Sequence, residues 1–138
     1  MASVNTIVGV EQVLARLRAK TMAMSLGCSR GLRLAGLMLQ RESQRLVPVD
    51  YGVLKASAFT RSFGAGFSTQ VIVGYTAEYA IYVHENVEMK LKGQPRPPPH
   101  KGKYWDPQGR GQSKFLEEPA RRLRREMRQV ILDQIKIL

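Results

Sequence analysis

Residues 46–57, LVPVDYGVLKAS, separate two kinds of apolar spacing. Before this stretch the apolar residues recur every three or four positions, as on a helix. After it they gather in short β-branched and aromatic runs broken by Gly, Ser and Thr. Pro48 has no backbone N–H and pushes Val47 away from α-helical angles, so a helix arriving through Arg45 must end here. Asp50 can accept hydrogen bonds from N–H groups two and three residues on, and Gly52 admits backbone angles that a side chain forbids. With Leu54 as the next apolar anchor, Pro48, Asp50 and Gly52 make a stiff corner with helix before it and sheet after it. From the residues alone, an ordinary helix-to-strand turn accounts for it.

Upstream, Val13, Leu14 and Leu17 form an apolar stripe with Arg and Lys opposite, the pattern of an amphipathic helix. Gly27 weakens that helix and Ser29 suits a cap. Leu32, Ala35, Leu39 and Leu46 then lie near one face, widened by Leu34 and Met38, with Arg33, Gln40, Arg41 and Gln44 largely opposite. The expectation is two helices divided around Gly27, or one long kinked helix. Residues 4–10, short and β-branched, read as an edge strand or an extended arm.

Downstream, 53–57 predict one helical turn, 58–63 a strand, 64–66 a turn and 69–75 the strongest strand, together an antiparallel hairpin. Gly74 leaves room for a backbone or an aromatic ring at the strand end. Residues 77–85 fit a short helix by spacing and a strand by composition. A long helix is expected from Ser113 or Lys114 to about Ile135, with Glu117 and Glu118 complementing its N-terminal dipole and Pro119 tolerated in its first turn. Leu116, Ala120, Leu123, Met127, Val130 and Ile131 would be its buried stripe. Arg121, Arg122, Arg124, Arg125 and Arg128 would cover its other faces. The fold class is α+β: a small antiparallel sheet packed against the N-terminal helices and a long C-terminal helix, with a long Pro-rich loop.

At 138 residues, 1–138 is most simply one domain with a modest core, carrying a basic Pro-rich insert at about 89–112. No apolar run is long enough to span a bilayer, and residues 1–6 lack the charged-then-apolar order of a secretory signal. Cys28 is the only cysteine, which excludes an internal disulfide and suits a reducing cytosol. A net charge of +11 implies a polyanionic partner, an acidic protein neighbour, or simply a solvated basic surface. No zinc-finger spacing, Gly-x-x-Gly clamp or ribonucleoprotein signature is present, so any DNA contact would be electrostatic. In the insert, Pro97, Pro98 and Pro99 favour an extended polyproline conformation. Trp105, costly to leave in water, is expected to dock on its own domain or on a neighbouring subunit.

His84 and Glu85 raise the question of a metal, but a second His one helical turn away is lacking and His100 lies beyond the insert. Residues 109–112, Gly-Arg-Gly-Gln, lack the Gly-Lys-Ser/Thr ending of a phosphate loop. No paired carboxylates, Ser-His-Asp set or metal cluster has credible spacing, so neither an enzyme nor a cofactor is expected.

Three segments, VPVDYGVLKAS, VIVGYTAEYAIYVHEN and GQSKFLEEPARRL, occur in that order. Together they resemble the tailed-bacteriophage neck family of head-to-tail joining and tail-completion proteins, often described as minor capsid or minor tail components. The resemblance covers residues 46–123. Tyr51 stands where that family usually has a small polar residue, and the insert after Met89 is longer. The resemblance implies a short helix over 77–85. It also implies a structural virion protein at the head–tail junction, made in the host cytoplasm and assembled as a cyclic ring, with sixfold symmetry one option. Its neighbours would be neck proteins on the portal and tail sides, with non-specific contact to passing DNA and no membrane. Tyr75, Tyr79, Tyr82, His84, Glu85 and Trp105 are the candidates for subunit contacts. Arg121, Arg122, Arg124, Arg125 and Arg128 are the candidates for DNA lining or ring contacts. The alternative is a free, non-sequence-specific nucleic-acid-binding protein using the arginine-rich C-terminal helix.

Overall fold

A computed structural model describes residues 7–49, 52–87 and 111–136. One helix, α1 (Val10–Leu46), runs unbroken for 37 residues. At roughly 1.5 Å per residue it is about 55 Å long. Of the two arrangements expected, the single long helix forms, and the division at Gly27 is absent. A mid-helix glycine costs only about 1 kcal/mol against alanine, which packing on both sides of it outweighs. Val10 belongs to this helix and Ile7 to Gly9 lead into it through a turn, so the described part of 4–10 is not a strand.

α1 stops where the corner requires. Val47 is extended (φ −67°, ψ 134°), and its N–H closes the last turn on the Ser43 carbonyl. Gly52, at φ 79°, opens the single turn α2 (Val53–Ala56). Strands β1 (Ala58–Phe63) and β2 (Gln70–Tyr75) follow as an antiparallel hairpin, with Ala58 opposite Tyr75 and Phe63 opposite Gln70. A short 3-10 turn, Gly66–Ser68, joins them. Phe59 lies across Gly74, with Arg61 stacked 4.9 Å above its ring, which fills the space that the glycine leaves.

The ambiguous 77–85 stretch is helical as α3 (Ala80–Glu85). The long C-terminal helix is two helices, α4 (Glu117–Arg122) and α5 (Arg124–Lys136), a correction to the single helix expected from Ser113 or Lys114. Lys114 sits at φ 54°, outside helical angles, and delays the start. Leu123 (ψ 5°) makes a one-residue step while its own N–H still reaches the Pro119 carbonyl. That step comes between α4, whose Arg122 pairs with Glu42 of α1, and α5, which lies along α1.

Two close approaches hold α1 to its neighbours. A Cβ at Gly31 would stand 2.7 Å from the Ile131 Cα, so α5 meets α1 backbone to backbone. A Cβ at Gly36 would stand 2.6 Å from Val71 Cγ1, where the hairpin crosses the helix. Gln40, expected on the solvent face, instead accepts from the Thr60 hydroxyl at 2.6 Å. Gln44 likewise turns inward and donates to the Lys55 carbonyl at 2.9 Å, whereas Leu34, expected on the buried face, is exposed. The innermost cluster is Val47, Leu54 and Phe115, with Leu46, Tyr75, Ala80, Val83 and Leu116 against it. No helix among the described residues is long and apolar enough to cross a membrane.

Candidate functional site

Three remote stretches converge at the C-terminal end of α1. Phe115, 1% exposed, fills the space between Val47 and Leu54 and receives two rings edge-on: Tyr75 at 5.1 Å and His84 at 5.0 Å. Such perpendicular contacts add modestly to the burial of the rings. Ser43 is fully buried and shares a 2.6 Å hydrogen bond with the Tyr75 hydroxyl. Burial raises the Tyr75 phenol above its ordinary value, and the bond to Ser43 partly opposes the rise. Tyr75 is thus turned inward, onto its own core.

Around this core runs a latch between α3 and the segment that leads into α4. The Glu117 backbone N–H donates to His84 Nε2 at 3.3 Å, so the ring proton sits on Nδ1 and is donated to Glu85 Oε1 at 2.8 Å. Lys114 donates its N–H to the His84 carbonyl at 2.8 Å, and its ammonium bridges Glu85 and Glu117. Gln112 N–H reaches the Leu46 carbonyl at 2.8 Å. The hydrogen bond from Lys114, followed by that from His84, holds the Glu85 carboxyl below its usual value. Lys114 does the same for Glu117, and the bond to Glu85 raises Lys114 in return.

His84, Glu85 and Glu117 could each offer one ligand atom, all within 4.8 Å of one another. The Lys114 ammonium already stands between the two carboxylates, and both ring nitrogens of His84 are engaged. A metal would have to displace the lysine and still find a fourth donor. The arrangement fastens backbone segments together and presents no nucleophile next to a base.

The other expected site residues divide between surface and interior. Pro48 and Gly52 are half-buried at the corner and Leu54 is buried. Tyr79 and Tyr82 are exposed on α3. Arg121 pairs with Glu117, and Arg122 spans Glu118 at 3.2 Å and Glu42 at 3.4 Å. The bond to Glu42 raises Arg122 above its ordinary value. Arg124, Arg125 and Arg128 are exposed, and their side chains form no ion pair or hydrogen bond among the described residues. Asp50 and Trp105 lie outside the described residues, as does 88–110 of the Pro-rich insert. Ser43 and Lys114 carried no signal in the sequence, because their partners lie 32 and 29 residues away.

Compared with protein-family models, curated proteins and solved structures, the chain has no match in any of the three.

Proposed function

We propose that this chain is a structural subunit of a tailed-bacteriophage neck, assembled as a ring between the capsid portal and the tail. The observation that carries this reading is a convergence. The three segments that resemble the neck family are far apart in sequence, yet they supply Val47 and Leu54, Tyr75 and His84, and Phe115 to one cluster. A resemblance spread over short motifs gains weight when those motifs build one physical unit. The arginines of α4 and α5 would then face a neighbouring ring or the phosphates of passing DNA, contacts that carry no sequence information directly. The decisive experiment is production of phage particles without this gene product. Filled heads and tails should accumulate unjoined, and supplying the protein should join them. A normal yield of joined particles overturns the reading.

A second reading is non-sequence-specific nucleic-acid binding, favoured by Arg124, Arg125 and Arg128 on α5, which are exposed and form no ion pair among the described residues. Replacing all three by alanine would then weaken duplex binding and flatten its salt dependence. The slope of log K against log salt should fall by about 0.9 for each lost phosphate contact. Binding unchanged by the triple substitution removes this reading.

A further inference from the structure

Among the described residues, two exposed apolar faces lie at opposite ends of α1. The first is the N-terminal half of the helix. α5 runs antiparallel to α1, with Arg122 bonded to Glu42 and Ile131 against Gly31. Continued along the chain, that register brings α5's last residue, Lys136, near the middle of α1. Residues 10–24, about 22 Å of helix at roughly 1.5 Å per residue, extend beyond it. On this length Val13, Leu14 and Leu17 are 55%, 43% and 56% exposed, and Phe67 from the hairpin tip stands beside them at 60%. The second face is α3, where Tyr79, Ile81 and Tyr82 point away from the core at 45%, 66% and 76% exposure. Isolated helical segments of this length are marginal in water, and contiguous apolar patches mark contact surfaces.

The charges of the two faces are opposite. Residues 10–26 carry Arg16, Arg18 and Lys20 against Glu11 alone, and Arg18, expected opposite the apolar stripe, instead borders the exposed groove beside Leu14 and Leu17. Residues 76–87 carry Glu78 and Glu85 and no Lys or Arg; Lys114 bridges Glu85, so the exposed Glu78 is the acidic group that this face offers. Pairing the N-terminal halves of two α1 helices with each other would set basic surface against basic surface, whereas pairing the helix with α3 sets basic against acidic.

We propose that α3 of one copy of this chain seats on the N-terminal half of α1 of a second copy. The two faces differ and lie at opposite ends of the long helix, so the contact is heterologous and each added subunit leaves one face of each kind open. This deepens the neck reading, on which closure of the series into a ring rests.

Two doubly substituted full-length chains test the contact: Leu14→Asp with Leu17→Asp, and Ile81→Asp with Tyr82→Asp. All four side chains are exposed, and far-UV circular dichroism checks that each variant keeps the helical signal of the parent. In sedimentation velocity the parent should form multimers, and each variant alone should run as a monomer. Their equimolar mixture should give dimers and nothing larger, because one intact helix face meets one intact α3 face. A monomeric parent overturns the proposal. So does a multimer built by the α3 variant alone, or a mixture that stays monomeric. If the parent forms rings by electron microscopy while the mixture stays monomeric, the contact fails and the neck reading stands. If the mixture dimerises while particles join without the protein, the neck reading fails and the contact stands.

Discussion

One face of the last dozen residues of α1 is covered by the corner, the hairpin and α5, while its first fifteen residues carry an apolar stripe that, among the described residues, has only the hairpin tip beside it. Ser43 and Val47 are almost wholly buried, yet Leu17 is 56% exposed. Both halves have the spacing of an amphipathic helix. What differs is the partner: at one end the described residues of the same chain supply it, and at the other they supply only the hairpin tip. Apolar periodicity fixes which face of a helix must be covered and says nothing about the identity of the cover.

The largest effect that would break this contrast is expected at Phe115. Phe115→Ala empties the space between Val47, Leu54, Tyr75 and His84 and should cost about 3–5 kcal/mol of unfolding free energy. Leu17→Ala, in dilute protein, should change stability by no more than about 0.5 kcal/mol. Urea titration of both variants measures the difference. Comparable losses would mean that the N-terminal half of α1 is held within the monomer.

A smaller effect is expected where α1 meets α5. Gly31→Ala gains about 1 kcal/mol in helix propensity but puts a methyl group 2.7 Å from the Ile131 Cα. Backbone cannot yield as a side-chain tip can, so the net result should be a loss of about 1–3 kcal/mol. A neutral or stabilising Gly31→Ala would show α5 to be loosely seated, and the distinction between the two halves of the helix would soften.

Smaller again is the Ser43–Tyr75 bond. Ser43→Ala leaves a half-buried phenol without its partner and should cost about 1–2 kcal/mol, whereas Tyr75→Phe in that background should add little further loss. A double-mutant cycle by denaturation reads the coupling. The phenol is raised in the folded protein, so its contribution is complete below the ordinary tyrosine value of 10.0 and is lost as pH rises through the higher folded value. Tyr75→Phe should therefore flatten the alkaline end of the stability profile.

Much of this architecture was legible before any coordinates. Pro48 and Gly52 act through backbone constraints that need no partner, so the end of α1 and the start of α2 follow from their identities. β-branched composition marks β2 in the same way. What the residues concealed was long-range geometry. Gly27 reads as a break and is simply buried, because a small local penalty loses to tertiary packing. The late start of α4 goes with Lys114, at φ 54°, being bonded to His84 and Glu85, residues that precede the Pro-rich insert. At the candidate site, His84 and Glu85 stood out by type. Their function as one side of a latch depended on Lys114 and Glu117, which no local pattern links to them.

That latch gives the smallest effect and the sharpest sign. Glu85 and Glu117 both titrate below the ordinary carboxylate value of 4.5 in the folded protein, chiefly because Lys114 donates hydrogen bonds to them. A carboxylate depressed on folding stabilises above its unfolded value, and that contribution disappears as pH falls through the folded one. The parent should therefore lose stability below about pH 4.5 more steeply than Lys114→Met, in which both carboxylates relax toward ordinary behaviour. These groups are largely solvent-exposed, so the difference should be modest and should shrink with added salt. Urea midpoints collected across the acid range for the two proteins provide the comparison. Parallel acid limbs would mean that the lysine bridge does not persist in solution, and that the backbone bond from residue 114 to the His84 carbonyl, with the His84 and Phe115 side chains, ties α3 to the start of α4.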